Sequence, residues 1–160
     1  MSDRNPLVGQ ALNWASWDQT NVITAMLSSV LAQWGRENGV TMRLTRVESI
    51  SHFADHISHQ IVGLAAWSVW DVASLESVCG SLAAIGRRAD SPTRVCYVAP
   101  ELAGSIGLLA EAGAQIVTDQ QHDLQSGLMR VLGHCRLTNH GFHPLTRGLV
   151  DRLPWPGVNS

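Results

Sequence analysis

The sequence predicts a single α/β domain in which five parallel strands alternate with five helices. Three observations carry this prediction. Short apolar runs alternate five times with segments whose apolar residues recur at three- and four-residue steps, across roughly residues 10–135. One run, residues 61–67, is continuously apolar and suits a central strand covered on both faces. The length of 160 residues fits one domain, long enough to bury about 70% of the surface its unfolded chain exposes. Right-handed strand-helix-strand crossovers then give a parallel sheet with helices on both faces.

Taken in order, residues 1–9 carry Pro6 and Gly9 and read as a flexible N-terminal arm ahead of the domain at 10–138. A first strand is expected over 10–15. Asp18 has the chemistry of a helix cap, and Val22, Met26, Leu27, Val30, Leu31 and Trp34 follow as an apolar helical stripe, with Gly35 and Gly39 bracketing its end. Residues 41–47 alternate as a half-exposed edge strand does. A polar helix over 48–60 buries Ile50, Phe53 and Ile57. After the strand at 61–67, Asp71 caps a helix carrying Val72, Leu75, Val78, Cys79, Leu82 and Ile85 up to Gly86. Residues 93–99 form the fourth strand. Pro100 starts a fourth helix, rich in Ala and Gly, that runs to about residue 112. A short strand over 113–118 and a helix over 124–134 complete the domain.

Composition removes several functions. A formal net charge of −2 leaves no basic footprint for nucleic acid. All 11 basic residues are arginine, which excludes Schiff-base chemistry and a phosphate-loop lysine. Cys79, Cys96 and Cys135 are odd in number and widely spaced, as in a reducing cytoplasmic setting. The N-terminus lacks the pattern of a signal peptide and no run approaches the ~18 apolar residues of a membrane span; a cytoplasmic protein without membrane contact is expected.

The most distinctive local pattern occurs twice: Trp14-Ala-Ser-Trp17-Asp18 and Trp67-Ser-Val-Trp70-Asp71. Each copy stands where a strand hands over to a helix, the place where open α/β sheets bind ligands. Trp14, Trp17, Asp18, Trp67, Trp70 and Asp71 are therefore the candidate ligand or partner contacts, tryptophan being large, rigid and enriched at binding hot spots. The alternative is that the rings pack the core and the aspartates cap helices. His52, His56 and His59 share one predicted helix face, and His134, Cys135, His140 and His143 cluster later. Neither spacing matches a metal motif, so no metal or other cofactor is expected. No nucleophile can be paired with a base, and no catalytic residue is assigned. In the tail, residues 139–160, Leu145, Leu149 and Leu153 repeat every four residues ahead of Pro154 and Trp155. This suits a short amphipathic helix docking in a partner's groove or folding back on its own domain.

The order of elements, together with Leu108-Leu-Ala-Glu-Ala-Gly-Ala-Gln-Ile-Val-Thr118-Asp119, resembles the receiver domain of response regulators. Receivers carry A-x-x-A-G-A-x-x-Y-L-x-K-P at the end of helix four and through strand five. The resemblance implies a flavodoxin-like three-layer sandwich with sheet order 2-1-3-4-5. It spans residues 10–135 in element order and about a dozen residues in motif.

The receiver's phosphorylation chemistry does not carry over. Its phosphoacceptor aspartate falls at about Ala66 or Trp67, its lysine at Asp119, the following proline at Gln120, and its strand-four hydroxyl near Val98. Of its acidic pair only Asp18 remains, and a lone carboxylate holds Mg²⁺ poorly. The expectation is a degenerate receiver acting as a non-catalytic signalling or scaffold module through protein contacts, with the resemblance implying a homodimer through helices four and five. The alternative is a small-molecule sensor with a tryptophan-lined pocket at the carboxyl ends of strands one and three.

Overall fold

The computed structural model describes residues 11–59, 62–87 and 91–135. In chain order these form β1 (Ala11–Trp17), α1 (Val22–Asn38), β2 (Thr41–Arg46), α2 (Ile50–His59), β3 (Leu64–Val69), α3 (Val72–Gly86), β4 (Thr93–Val98), a 3-10 helix (Pro100–Ser105), α4 (Ile106–Ala112), β5 (Ile116–Thr118) and α5 (Gln121–Cys135). All strand pairs are parallel and the sheet order is β2-β1-β3-β4-β5, the flavodoxin-like arrangement. The expected arm at 1–9 and tail at 139–160, with Leu145, Leu149, Leu153 and Trp155, lie outside the described residues. Among the described residues no helix is long and apolar enough to cross a membrane.

Side-chain alternation along each strand builds two cores. Leu12 and Trp14 of β1, Leu64 and Ala66 of β3, and Val95 and Tyr97 of β4 face α1 and α5, where they meet Leu27, Leu31, Trp34, Leu124 and Leu128. The intervening residues Ala15, Trp17, Ala65, Trp67, Cys96 and Val98 face α2, α3 and α4 and meet Phe53, Ile57, Val78, Leu82 and Leu109. Every residue of β3 is buried, as expected for a continuously apolar central strand, and β2 at the sheet edge is largely exposed.

Several element boundaries differ from expectation, those of β1 and β3 through tertiary pairing. β1 runs on to Trp17 because Ser16 pairs with Arg46 of β2 and Trp17 with Trp67 of β3. The regular part of β3 begins at Leu64, set opposite Trp14 and Thr93. The fourth helix divides: Leu102 leaves helical geometry at φ −106° and ψ 15°, and only Ile106–Ala112 is α-helical. Its Gly104 and Gly107 give the backbone little reason to hold one continuous helix.

Helix α1 ends where Gly35 and Gly39 bracket it, at Asn38. Gly35 lies inside it and Gly39, at φ 70°, closes it by donating its N–H to Gly35 O. Gly35 is needed for space: a Cβ there would stand 2.5 Å from Val40 O and 2.9 Å from Met42 Cγ. Gly35→Ala is therefore expected to destabilise by about 1–3 kcal/mol, the usual cost of overpacking. A denaturation midpoint equal to that of the parent would show that the α1–β2 turn can give way.

Candidate functional site

The two W-x-x-W-D segments do not stack copy upon copy. Trp67 is paired with Trp17 and not with Trp14, so the copies are staggered by an odd number of residues and their rings go to opposite faces. Trp14 and the half-buried Trp70 pack with the α1/α5 core. Trp17 and Trp67 pack with the α2/α3 core. At 2%, 5% and 1% exposure, Trp14, Trp17 and Trp67 are core residues, which corrects the expectation that they offer contact surface at the sheet edge. Trp67 tilts against Phe53 with ring centroids 4.7 Å apart and donates its indole N–H to Ser81 Oγ at 3.3 Å.

The same register sets Asp18, one step beyond Trp17, beside Ser68, one step beyond Trp67. Alternation turns both toward α1, along with Ser16, whose hydroxyl meets Thr24 Oγ1 at 3.0 Å. Asp18 Oδ1 accepts from Ser68 Oγ at 2.9 Å, from Trp70 Nε1 at 3.2 Å, and from Thr20 N and Thr20 Oγ1 at 3.1 and 3.0 Å. Its other oxygen, Oδ2, accepts from Thr24 N at 2.9 Å. The expected cap thus exists, but it reaches six residues on into α1; the residue in the N-cap position, Asn21, sits in left-handed backbone at φ 64° and makes no side-chain cap bond.

Partial burial works against the charge of Asp18, and the bonds from Thr24, Ser68, Thr20 and Trp70 outweigh it, holding the carboxyl below its ordinary value. Around this carboxylate every close polar partner is a donor. The arrangement fits a permanently ionised structural carboxylate that ties β1 to α1 and β3. A divalent cation would compete with four donors at Oδ1 and with one at Oδ2. Among the described residues no three His, Cys, Asp or Glu side chains converge as a metal site. Of the histidines on α2, His56 keeps a buried Nε2 without a hydrogen-bond partner.

Asp71, by contrast, is an exposed N-cap of α3. Its Oδ1 accepts from Ser74 N at 2.8 Å and from Ser74 Oγ at 2.7 Å, and these bonds lower its pKa. Trp70, between Asp18 and the next strand, lies against Tyr97 with ring centroids 5.2 Å apart. Burial, opposed by a hydrogen bond with Gln121 and helped by Asp119 and Glu101, raises the Tyr97 phenol's pKa. A polar and aromatic line therefore crosses the carboxyl edge from Asp18 through Trp70 and Tyr97 to Gln121 at the start of α5. Ser68, Thr20, Thr24 and Tyr97 are the members that sequence reasoning missed. The signal for Ser68 was its place inside the second W-x-x-W-D copy, readable only once the register of β1 on β3 is known.

The cleft beside Asp18 opens between β1 and β2. Trp17 and Gln19 stand on one side, Arg46, Val47 and Glu48 on the other, and the volume is about 230 Å³. That is smaller than the roughly 300–1,000 Å³ of ordinary small-molecule sites. Trp70 does not line it, so this cleft is not the expected tryptophan-lined pocket between the ends of β1 and β3.

No protein-family model matches the sequence, and no curated protein matches it. Among solved structures, a response regulator from Hahella chejuensis superposes with a TM-score of 0.56 at 13% identity, covering 81% of this chain and 98% of that one. A CheY-like protein, TadZ, from Pseudomonas aeruginosa PAO1 gives a TM-score of 0.53 at 16% identity, covering 76% of this chain and 93% of that one. At these identities the likeness is one of fold: the domain has the architecture of response-regulator receivers.

Proposed function

We propose that the protein is a non-catalytic signalling or scaffold module, a receiver-like domain that acts through protein-protein contacts and not through a phosphorylated aspartate. The observation that carries this reading is the carboxylate of Asp18, engaged by five hydrogen-bond donors. Its neighbour on β3 is the hydroxyl of Ser68, buried at 1% exposure, and the residues before it, Ala66 and Trp67, are buried and have no carboxyl group. Asp119, following β5, puts a negative charge where the resemblance implies a lysine. A phosphoryl group brought to this edge would meet no carboxylate on β3, an Asp18 carboxylate already engaged by five donors, and no compensating ammonium.

The test is incubation of the full chain with acetyl phosphate and Mg²⁺, followed by intact mass and tryptophan fluorescence. We expect an unmodified mass and an unchanged emission spectrum; a stoichiometric phosphoryl adduct stable to gel filtration would overturn the reading. Self-association through α4 and α5 belongs to the same proposal, supported by exposed Leu108 and Met129 at 51% and 40%. Light scattering at micromolar concentration should then give twice the 17.3 kDa of one chain, and a monomeric mass would remove this part. A protein partner in a cytoplasmic setting, with neither nucleic acid nor membrane, completes the proposal. Free thiols at Cys79 and Cys96 are consistent with that setting.

A further inference from the structure

The open edge of the sheet at β2 is where such a protein contact is best prepared. β2 is the outermost strand beside β1, and among the described residues nothing pairs with its other side. Thr41, Arg43, Leu44, Thr45 and Arg46 are all exposed, and of the strand only Met42 is partly buried, packed against the α1/α5 core. The Val47 N–H points inward, donating to Ser16 O at 2.9 Å. Backbone groups alternate in direction along a parallel strand, which turns the N–H and C=O of Met42, Leu44 and Arg46 outward to the open edge.

Natural edge strands of this length are usually shortened, bulged or covered, because a row of free backbone donors and acceptors templates another strand. β2 has no proline and no bulge, keeps an unbroken six-residue register with β1, and leaves Leu44 37% exposed. Its only charged residues are Arg43 and Arg46, on opposite faces, in a chain whose formal net charge is −2. Glu37 and Glu48 lie near its two ends, outside the strand itself.

We propose that the edge of β2 accepts an extended acidic segment of a partner protein as a sixth strand. Backbone hydrogen bonds to Met42, Leu44 and Arg46 would supply binding, and carboxylates reaching Arg43 and Arg46 on either face would supply selectivity. A second copy of this chain fits less well, since an antiparallel β2 ladder brings four guanidinium groups together without a carboxylate from either strand. This inference rests on the protein-contact reading and gives it a surface and a partner chemistry.

The test is amide hydrogen exchange by NMR on the isotopically labelled full chain, titrated with a peptide of about ten residues, the length of a long natural strand. The peptide alternates Val or Thr with Glu; one control has Lys in place of Glu, and another has Pro at every third position. The Glu peptide is expected to slow exchange at Met42, Leu44 and Arg46 and to leave Arg43 and Thr45, already bonded to β1, as they were. The two controls should not. The double variant Arg43→Ala/Arg46→Ala, with parental circular dichroism and melting temperature, should bind about tenfold more weakly, as loss of charge-assisted contacts predicts.

Unchanged exchange at these three amides with millimolar Glu peptide would overturn the proposal, as would equal protection by the Lys peptide. Protection that grows with protein concentration in the absence of peptide would assign the edge to a second copy and overturn it as well. An unprotected edge with an unphosphorylated chain removes the sixth strand and leaves the protein-contact reading in place, whereas phosphorylation removes that reading whatever the edge does.

Discussion

Trp67→Ala is expected to cost about 3–5 kcal/mol of folding stability, the range measured when a buried aromatic is truncated to alanine. Small domains are stable by only about 5–15 kcal/mol, so this variant should lie near the limit of folding at ordinary temperature. The size of the effect follows from the ring's position. Trp67 is 1% exposed on a central strand, its ring tilts against Phe53 of α2, and its indole N–H is satisfied by Ser81 of α3. Truncation would open a cavity between sheet and helices and strand the Ser81 hydroxyl without its donor. Guanidinium titration followed by far-ultraviolet circular dichroism measures the loss. Trp67→Phe, which keeps most of the volume and gives up the hydrogen bond, should fall well short of it. A loss for Trp67→Ala below about 1 kcal/mol, the scale of a surface change, would mean that Trp67 is not the core residue described above.

The second large effect belongs to Asp18. Asp18→Ala removes the acceptor for Thr24 N–H, Ser68 and Trp70 at once, and an unsatisfied buried donor costs about 1–3 kcal/mol; with partial exposure easing some of this, a total near 2–4 kcal/mol is expected. Asp18→Asn keeps the shape, gives up the charge and should lose less. The pH dependence separates the charge from the shape. Because the folded pKa lies below the ordinary 3.8, the stabilisation is fully present above that value and is lost as pH falls through the lower, folded one. The stability gap between the parent and Asp18→Asn should therefore hold at neutral pH and narrow below about pH 4. Asp71, whose folded pKa is also lowered, titrates in the same window but is common to both proteins and cancels in the difference. A gap that stays constant down to pH 2, or widens on acidification, would contradict the assignment of Asp18 as an ionised structural acceptor.

The same two residues show how function was legible at the sheet edge. That Asp18 would cap the first helix could be read from its residue type and place. That it would also hold Ser68 and Trp70, some fifty positions away, could not, because those bonds depend on which residue of β1 stands beside which residue of β3. The repeated W-x-x-W-D pattern suggested that equivalent residues would meet, gathering four rings around a pocket. The observed register sets Trp17 against Trp67, and an odd stagger reverses the faces. Three rings go into the cores and only Trp70 stays half-buried at the edge. Likewise Gly35 and Gly39 could be read as bracketing the end of the first helix, but only the approach of Val40 and Met42 shows that Gly35 is a close-packing position.

By itself the sequence determined the alternation of five strands and five helices, the buried character of the third strand, the exposed character of the second, the absence of lysine, and the absence of a carboxylate within the third strand. These follow from local periodicity and residue chemistry, which act within a few positions along the chain. The tertiary structure alone decided the stagger of the two tryptophan segments, the five-donor environment of Asp18, the line from Trp70 through Tyr97 to Gln121, and the outward turn of the Met42, Leu44 and Arg46 amides. Strand register is a non-local choice: sliding one strand past its neighbour by a single residue leaves its own periodicity intact but exchanges the two faces. The pairing of β1 with β3 settles that choice through burial on both sides of the sheet.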